Sequence, residues 1–195
     1  MIGSTTLTFS ASVDVAAEAA RVFALMSDLR RKARLNPNIQ VIRVELLGGE
    51  PVREGSIFYH RFQRGTQILE YRSRCIRCVP PRLFHCRSQT EPPFEVQVTV
   101  EPIPGGCRIR QEEMLEVTPA LMDALEPIPV PDTLRDALAW IGLFPSLRPL
   151  GIELRALQRE RIVQRLSREL GSWLAAVRSH LETEGTPERQ ERRSA

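Results

Sequence analysis

LRALQRERIVQRLSRELGSWLAAVRSHLE, residues 154–182, sets apolar side chains at Ile162, Val163, Leu166, Leu170, Trp173, Leu174, Val177 and Leu181. Steps of three and four draw one stripe along a helix. Arg159, Arg161, Arg165, Arg168, Glu169 and Arg178 fall outside the stripe, and Gly185 and Pro187 supply a stop signal just beyond it. A stripe this long needs a partner of comparable size. Gly171 interrupts it at its middle, at a cost of about 1 kcal/mol against alanine. The glycine marks either a bend or a close approach to a ligand or another segment.

Upstream, the chain reads as the sheet that would grip such a helix. Leu7 to Val15 alternates apolar Leu7, Phe9, Ala11, Val13 and Val15 with Thr8, Ser10, Ser12 and Asp14, which is a half-buried strand. The period then changes: Ala19, Val22, Phe23 and Met26 lie on one helical face between Ala17 and Ser27. A second, basic helix is expected from Asp28 to Leu35, ended by Asn36-Pro37-Asn38. Six strands follow with turn signals between them: Ile39–Leu47, Ser56–Gln63, Thr66–Val79, Leu83–Thr90, Phe94–Glu101 and Cys107–Val117. Short connections between consecutive strands imply antiparallel hairpins. The expected fold is therefore α+β, a curved antiparallel sheet of about seven strands closing on the long final helix.

Size and composition narrow the function. With 195 residues the chain suits one domain with a real core, spanning 1–182. A formal charge of +3, from 27 basic and 24 acidic residues intermixed along the chain, argues against a nucleic-acid surface. Met1 to Ser10 has neither a basic stretch nor an apolar run, so no signal peptide is expected, and no run of about 18 apolar residues exists to span a membrane. The expected setting is the cytoplasm, with Cys75, Cys78, Cys86 and Cys107 as free thiols. Cys75 and Cys78 form a C-x-x-C, but three positions apart on a strand they point to opposite faces. No metal site is expected there without a bulge or turn, and no cofactor is implied.

Two segments stand apart. Thr118 to Gly151 is rich in apolar residues, including Leu121, Met122, Leu134, Leu138, Trp140, Ile141 and Phe144, with Asp132 placed to cap a short helix. It reads as a flap packed on the domain, and sharper readings are a lid over a cavity, a homodimer contact or a membrane-docking element. Residues 183–195 are polar and expected to be disordered.

Taken in order, FSASVDVAAEAARVFALMSDL (9–29), NPNIQVIRVELLGG (36–49) with Gly55 after it, CIRCVPPRLFHCRS (75–88), PIPGGCRIRQEEMLEV (102–117) and the final helix carry a resemblance. The chain resembles the helix-grip superfamily, which includes START domains, the Bet v 1 allergens and bacterial polyketide cyclase/dehydrase-like proteins. The resemblance spans Leu7 to Leu181 apart from the 118–151 insert. It implies an apolar cavity between the concave sheet face and the last helix.

Period-two alternation assigns the inward positions. They are Phe94, Val96, Val98 and Val100 on one strand, and Ile109, Gln111, Glu113, Leu115 and Val117 on the next. Phe58, His60 and Phe62 are preferred over Ile57, Tyr59 and Arg61. Leu69, Tyr71, Ser73 and Cys75 are preferred because the other register turns Glu70, Arg72 and Arg74 inward together. Leu166, Leu170 and Trp173 complete the expected lining from the helix. The result is an apolar pocket with a few polar groups, the pattern of a hydrophobic small-molecule site. Among them His60, Tyr71, Ser73 and Glu113 are the candidates for acid/base work, each weighed against a wall or packing role. A buried Glu113 needs a partner, a raised pKa or contact with water.

No nucleophile motif, phosphate-binding glycine loop or metal cluster appears. The aromatase/cyclase branch of the resembling family carries a serine and an arginine two residues apart on the fourth strand. Here Ser73 is followed two residues later by Cys75, with the arginine displaced to Arg74 or Arg77. Binding of a lipid-like or polyketide-like ligand is therefore the leading expectation. Cyclase, aromatase or dehydratase chemistry is the alternative, and docking of a partner or membrane through the insert is the third.

Overall fold

The computed structural model of the protein describes residues 5–127 and 148–184. Most of the apolar insert, including the helix expected after Asp132, lies outside the described residues, as does the tail from residue 185.

Strand β1 (Thr5–Val15) leads into helices α1 (Ala19–Ser27) and α2 (Leu29–Arg34). Six strands follow: β2 (Gln40–Leu47), β3 (Ile57–Arg64), β4 (Gln67–Val79), β5 (Leu83–Ser88), β6 (Phe94–Ile103) and β7 (Gly106–Val117). Helices α3 (Pro119–Leu125) and α4 (Arg148–Glu184) complete the order. The sheet runs β1-β7-β6-β5-β4-β3-β2 and all its pairings are antiparallel. The chain has the helix-grip fold.

Helix α4 begins six residues earlier than the periodicity indicated, because Pro149 is compatible with a first helical turn, where its missing N–H costs nothing. It also includes Thr183 and Glu184, which sequence reading assigned to the tail. Its stripe packs at both ends. Ile162, Leu166 and Leu170 join Leu7, Phe9, Val117 and Met122, while Leu174, Val177 and Leu181 join α1 and the inner faces of β5 to β7. At α3 the insert starts on the body of the domain: Thr118 caps α3, Met122 is buried, and Arg165 pairs with Glu126 at 2.9 Å.

Three local features bear on the site. Gly106 opens β7 against the end of β1, where a Cβ would lie 2.0 Å from the Val15 carbonyl oxygen; only glycine fits there. A β-bulge shifts β4 against β5 between Cys75 and Arg77. The bulge brings Cys78 to the same side as Cys75, so the opposite-face expectation for the C-x-x-C does not hold. Cys75 lies within hydrogen-bonding reach of both Cys78 and Cys86, and all four cysteines are free thiols. A second bulge at Ile42 breaks the register of edge strand β2 against β3 and leaves Ile42 exposed.

A Cβ built at Gly171 meets nothing within 4 Å among the described residues, so no packed neighbour there calls for a glycine. With no packing reason for glycine, Gly171→Ala is expected to stabilise the protein by about 0.5–1 kcal/mol through helix propensity and reduced unfolded-state entropy. Thermal and urea denaturation of the two proteins measure this directly.

Candidate functional site

Between the concave sheet and α4 lies a cavity of about 280 Å³. Its position follows from the packing just described: α4 meets the sheet through Ile162 and its neighbours and again through Leu174, Val177 and Leu181, and Leu166, Glu169, Leu170 and Trp173 between them line the cavity. Strand alternation sets the walls. On β3 the inward set is Phe58, His60 and Phe62, on β4 it is Tyr71, Ser73 and Cys75, and on β7 it includes Ile109, Gln111 and Glu113.

Twelve of the residues expected to line a cavity do so. His60, Phe62, Leu69, Tyr71, Ser73 and Phe94 form one part of the wall, and Val96, Gln111, Glu113, Leu166, Leu170 and Trp173 the rest. Leu69 is 40% exposed and sits toward the open end of β4. Four others do not reach the cavity. Phe58, Val98 and Ile109 are sealed in the core beyond its floor, and Leu115 packs in the cluster beneath α3. Their faces point inward, but at those levels the sheet and helix are already in contact.

The structure adds wall residues that alternation along the chosen strands could not supply. Phe84 and Cys86 come from β5, and Phe9 comes from β1. Helix α2 contributes Leu29, Lys32 and Ala33. Asn36, Asn38, Arg64 and Glu169 make a polar rim, with Arg64 donating to both Glu169 carboxylate oxygens at 2.7 Å and Asn38 donating to the Glu169 carbonyl at 3.0 Å. These contacts tie β3 and the segment after α2 to α4.

Lys32 is the central addition. It is the sole lysine in the sequence, every other basic side chain apart from histidine being arginine, and it is only 1% exposed. That contrast, together with the i, i+3, i+4 spacing of Leu29, Lys32 and Ala33, was the available signal. Asp28 caps α2 by accepting from the Arg30 N–H, which sets the helix so that this face turns inward. The Trp173 indole N–H donates to the Lys32 carbonyl at 3.0 Å. Lys32 Nζ lies 4.6 Å from the Trp173 ring centroid and donates to Gln111 Oε1 at 2.6 Å. The Gln111 amide in turn donates to Glu113 Oε1 at 2.5 Å. A polar row, Lys32–Gln111–Glu113, thus crosses an otherwise apolar wall.

Burial governs the charges in this row. It pulls the Lys32 ammonium down to about 8, with Glu113 and Cys86 opposing the fall. It also pushes the Glu113 carboxyl up, against the opposing pull of Lys32 and the Gln111 hydrogen bond. His60 is lowered to about 4 by burial and then by Lys32, so its imidazole is neutral near pH 7. Its Nε2 is 2.9 Å from Ser73 Oγ, its ring stacks on Tyr71 with centroids 4.4 Å apart, and its buried Nδ1 has no hydrogen-bond partner. The Tyr71 phenol is raised by burial first and by Glu113 second. Arg72, Arg74 and Arg77 are all exposed, so no β4 arginine lines the cavity; its buried cation comes from α2, with Arg64 of β3 at the rim. Among the described residues no group of three His, Cys, Asp or Glu is placed to hold a metal ion, and no helix is long and apolar enough to cross a membrane.

Residues 6–138 match the family described as polyketide cyclase / dehydrase and lipid transport. The chain belongs to that family. Solved structures share the fold at low identity. The di-domain ARO/CYC StfQ from the steffimycin biosynthetic pathway is 14% identical with a TM-score of 0.64, covering 92% of this chain and 52% of that one. The di-domain ARO/CYC BexL from the BE-7585A biosynthetic pathway is 16% identical with a TM-score of 0.62, covering 91% and 50%. This chain thus spans about half the length of those two proteins. TTHA0849 from Thermus thermophilus is 15% identical with a TM-score of 0.58, and the match covers 92% of this chain and 99% of that one. No curated protein sequence matches the chain.

The Lys32 shift has a sign that can be measured. Below about pH 8 both folded and unfolded chains hold the proton; between about 8 and the free value of 10.5 only the unfolded chain does. Unfolding then takes up a proton, so stability rises with pH across that window. Relative to Lys32→Met, the wild-type protein is expected to gain about 2–3 kcal/mol between pH 8 and pH 10. Urea denaturation of both proteins at each pH isolates the term, because the thiols and Tyr71 are common to both.

Proposed function

We propose that this protein binds a hydrophobic small molecule, lipid-like or polyketide-like, in the cavity between the sheet and α4. The observation that carries the reading is the cavity itself: about 280 Å³ walled mainly by Phe, Leu, Val and Trp side chains, with a short polar row on one side. Membership in a family described by polyketide cyclisation, dehydration and lipid transport supports it. An apolar concave site with sparse polar groups fixes an apolar body by burial and its orientation by those groups. The reading includes a reducing, cytoplasmic setting, supported by unpaired thiols inside the sheet.

Native mass spectrometry and solvent extraction of the purified protein test the reading. A bound apolar molecule, or uptake of one supplied in solution, is the expected result. Val96→Phe, which fills the cavity from β6, should weaken that binding by at least about tenfold while the fold survives, since an added ring displaces ligand volume worth more than about 1.4 kcal/mol. A protein that takes up no apolar molecule under any of these conditions would overturn the proposal.

A second reading, cyclisation or dehydration of a bound polyketide-like chain, is favoured by one observation. His60 is neutral, lines the cavity and leaves Nδ1 unpaired, which is the state of a general base or acid waiting for a substrate proton. Tyr71, Ser73 and Glu113 are the other groups within this wall. On that reading His60→Gln lowers turnover of a poly-β-ketone substrate by about 100-fold or more with binding retained. Equal turnover by wild type and by each of the His60, Tyr71, Ser73 and Glu113 variants would refute these assignments, and no turnover by the wild type would leave a carrier.

A further inference from the structure

We propose that Lys32 is a nucleophilic amine that forms a reversible imine with an aldehyde or ketone carbonyl of the molecule held in this cavity. The inference rests on the binding reading above and narrows it to a ligand with an apolar body and an electrophilic carbonyl.

The chain writes its basic residues as arginine except at one place, and that place faces the cavity. A guanidinium cannot act as a nucleophile near neutral pH, whereas a desolvated lysine can. The geometry suits the neutral amine. Gln111 Oε1 takes one N–H at 2.6 Å and the Trp173 ring face receives the second at 4.6 Å from its centroid. In the neutral amine the lone pair is then free to turn to the cavity that Lys32 lines. The backbone of Lys32 is itself held, by the capped start of α2 on one side and the Trp173 indole N–H on the other. The attacking atom is therefore positioned before a ligand arrives.

Every element around the amine contributes a titratable or polar neighbour: Gln111 and Glu113 from β7, His60 from β3, Tyr71 from β4 and Cys86 from β5. Glu113 is the acid the reaction needs. The lone pair of Nζ attacks the carbonyl carbon, the C=O π pair moves to oxygen, and that oxygen gains the proton that nitrogen loses. The hydroxyl of the resulting carbinolamine takes a proton from the Glu113 carboxyl, the C–O bond breaks, and water leaves as the C=N bond forms. The product is a protonated imine facing the Glu113 carboxylate. One carbonyl and one amine give one imine and one water, with no oxidant or reductant consumed. The lowered affinity of Lys32 for its proton and the raised affinity of Glu113 both act in the direction this sequence requires.

The test uses the full chain, 2-naphthaldehyde and sodium cyanoborohydride, with intact-mass measurement and peptide mapping. Apart from non-saturable labelling of the α-amino group, one adduct is expected, at Lys32, saturating with aldehyde concentration and suppressed by excess 2-methylnaphthalene, which has a similar body and no carbonyl. At pH 7 a lysine near 8 holds about a tenth of its population as free amine against roughly one part in 2,500 for an unperturbed side chain, so trapping should exceed that in the urea-unfolded chain by about 100-fold. Lys32→Met and Lys32→Arg should lose the adduct. Binding of 2-methylnaphthalene to the wild type with no adduct at Lys32, or with labelling confined to the α-amino group, overturns the imine and leaves the binding reading intact. No uptake of either compound overturns both.

Discussion

One amphipathic helix with a single apolar stripe has to find one concave apolar surface, and the rest of the structure follows from that constraint. Burying the seven or eight stripe residues contributes roughly 10–20 kcal/mol gross, an upper limit before chain entropy is subtracted. A twisted sheet of seven strands cannot follow a straight helix along its whole length. The two surfaces therefore meet in two places along α4, in one cluster around Ile162 and Leu7 and another around Leu174 and Val98. The gap between these contacts is the cavity. It is a consequence of fitting a rod to a curved surface, filled neither by large side chains from the sheet nor by the helix.

Polar groups in that gap are costly, and the structure shows how the cost is met. Lys32, Gln111 and Glu113 satisfy one another in a row, so each buried donor or acceptor has at least one partner. His60 avoids the cost of a charge by staying neutral. What is left unpaired in this wall is the His60 Nδ1, the place where an incoming molecule would gain most from a matching polar atom. The apolar wall and the polar row thus divide the work between affinity and orientation.

Much of this was legible from patterns of fixed period. Strict alternation on β1 and β6 named the inward sets directly, and the charge pattern Glu70, Arg72, Arg74 settled β4. On β3 both faces carry aromatic residues, so the sequence left the choice nearly even; the sheet buries Phe58, His60 and Phe62. Alternation names a face but not a depth, which is why Phe58, Val98, Ile109 and Leu115 were expected at the cavity and lie in packed regions instead. Lys32 was missed because α2 has only six residues, too few for its inward face to stand out within the run Arg30, Arg31, Lys32, Arg34. The C-x-x-C was misjudged for a related reason. A one-residue bulge leaves no mark in composition, yet it reverses every facing beyond it.

The bulge at Ile42 matters for the outside of the molecule. An open sheet ends in a row of unpaired backbone groups, and a flat outer strand is a template on which another chain can continue the ladder. Here the outermost strand kinks at its second pair of residues, and its exposed face carries Arg43 and Glu45 locked together at 2.8 Å. A straight incoming strand would lose its register at the kink and have to strip water from two charges. Growth of the sheet from copy to copy is thereby opposed at that border.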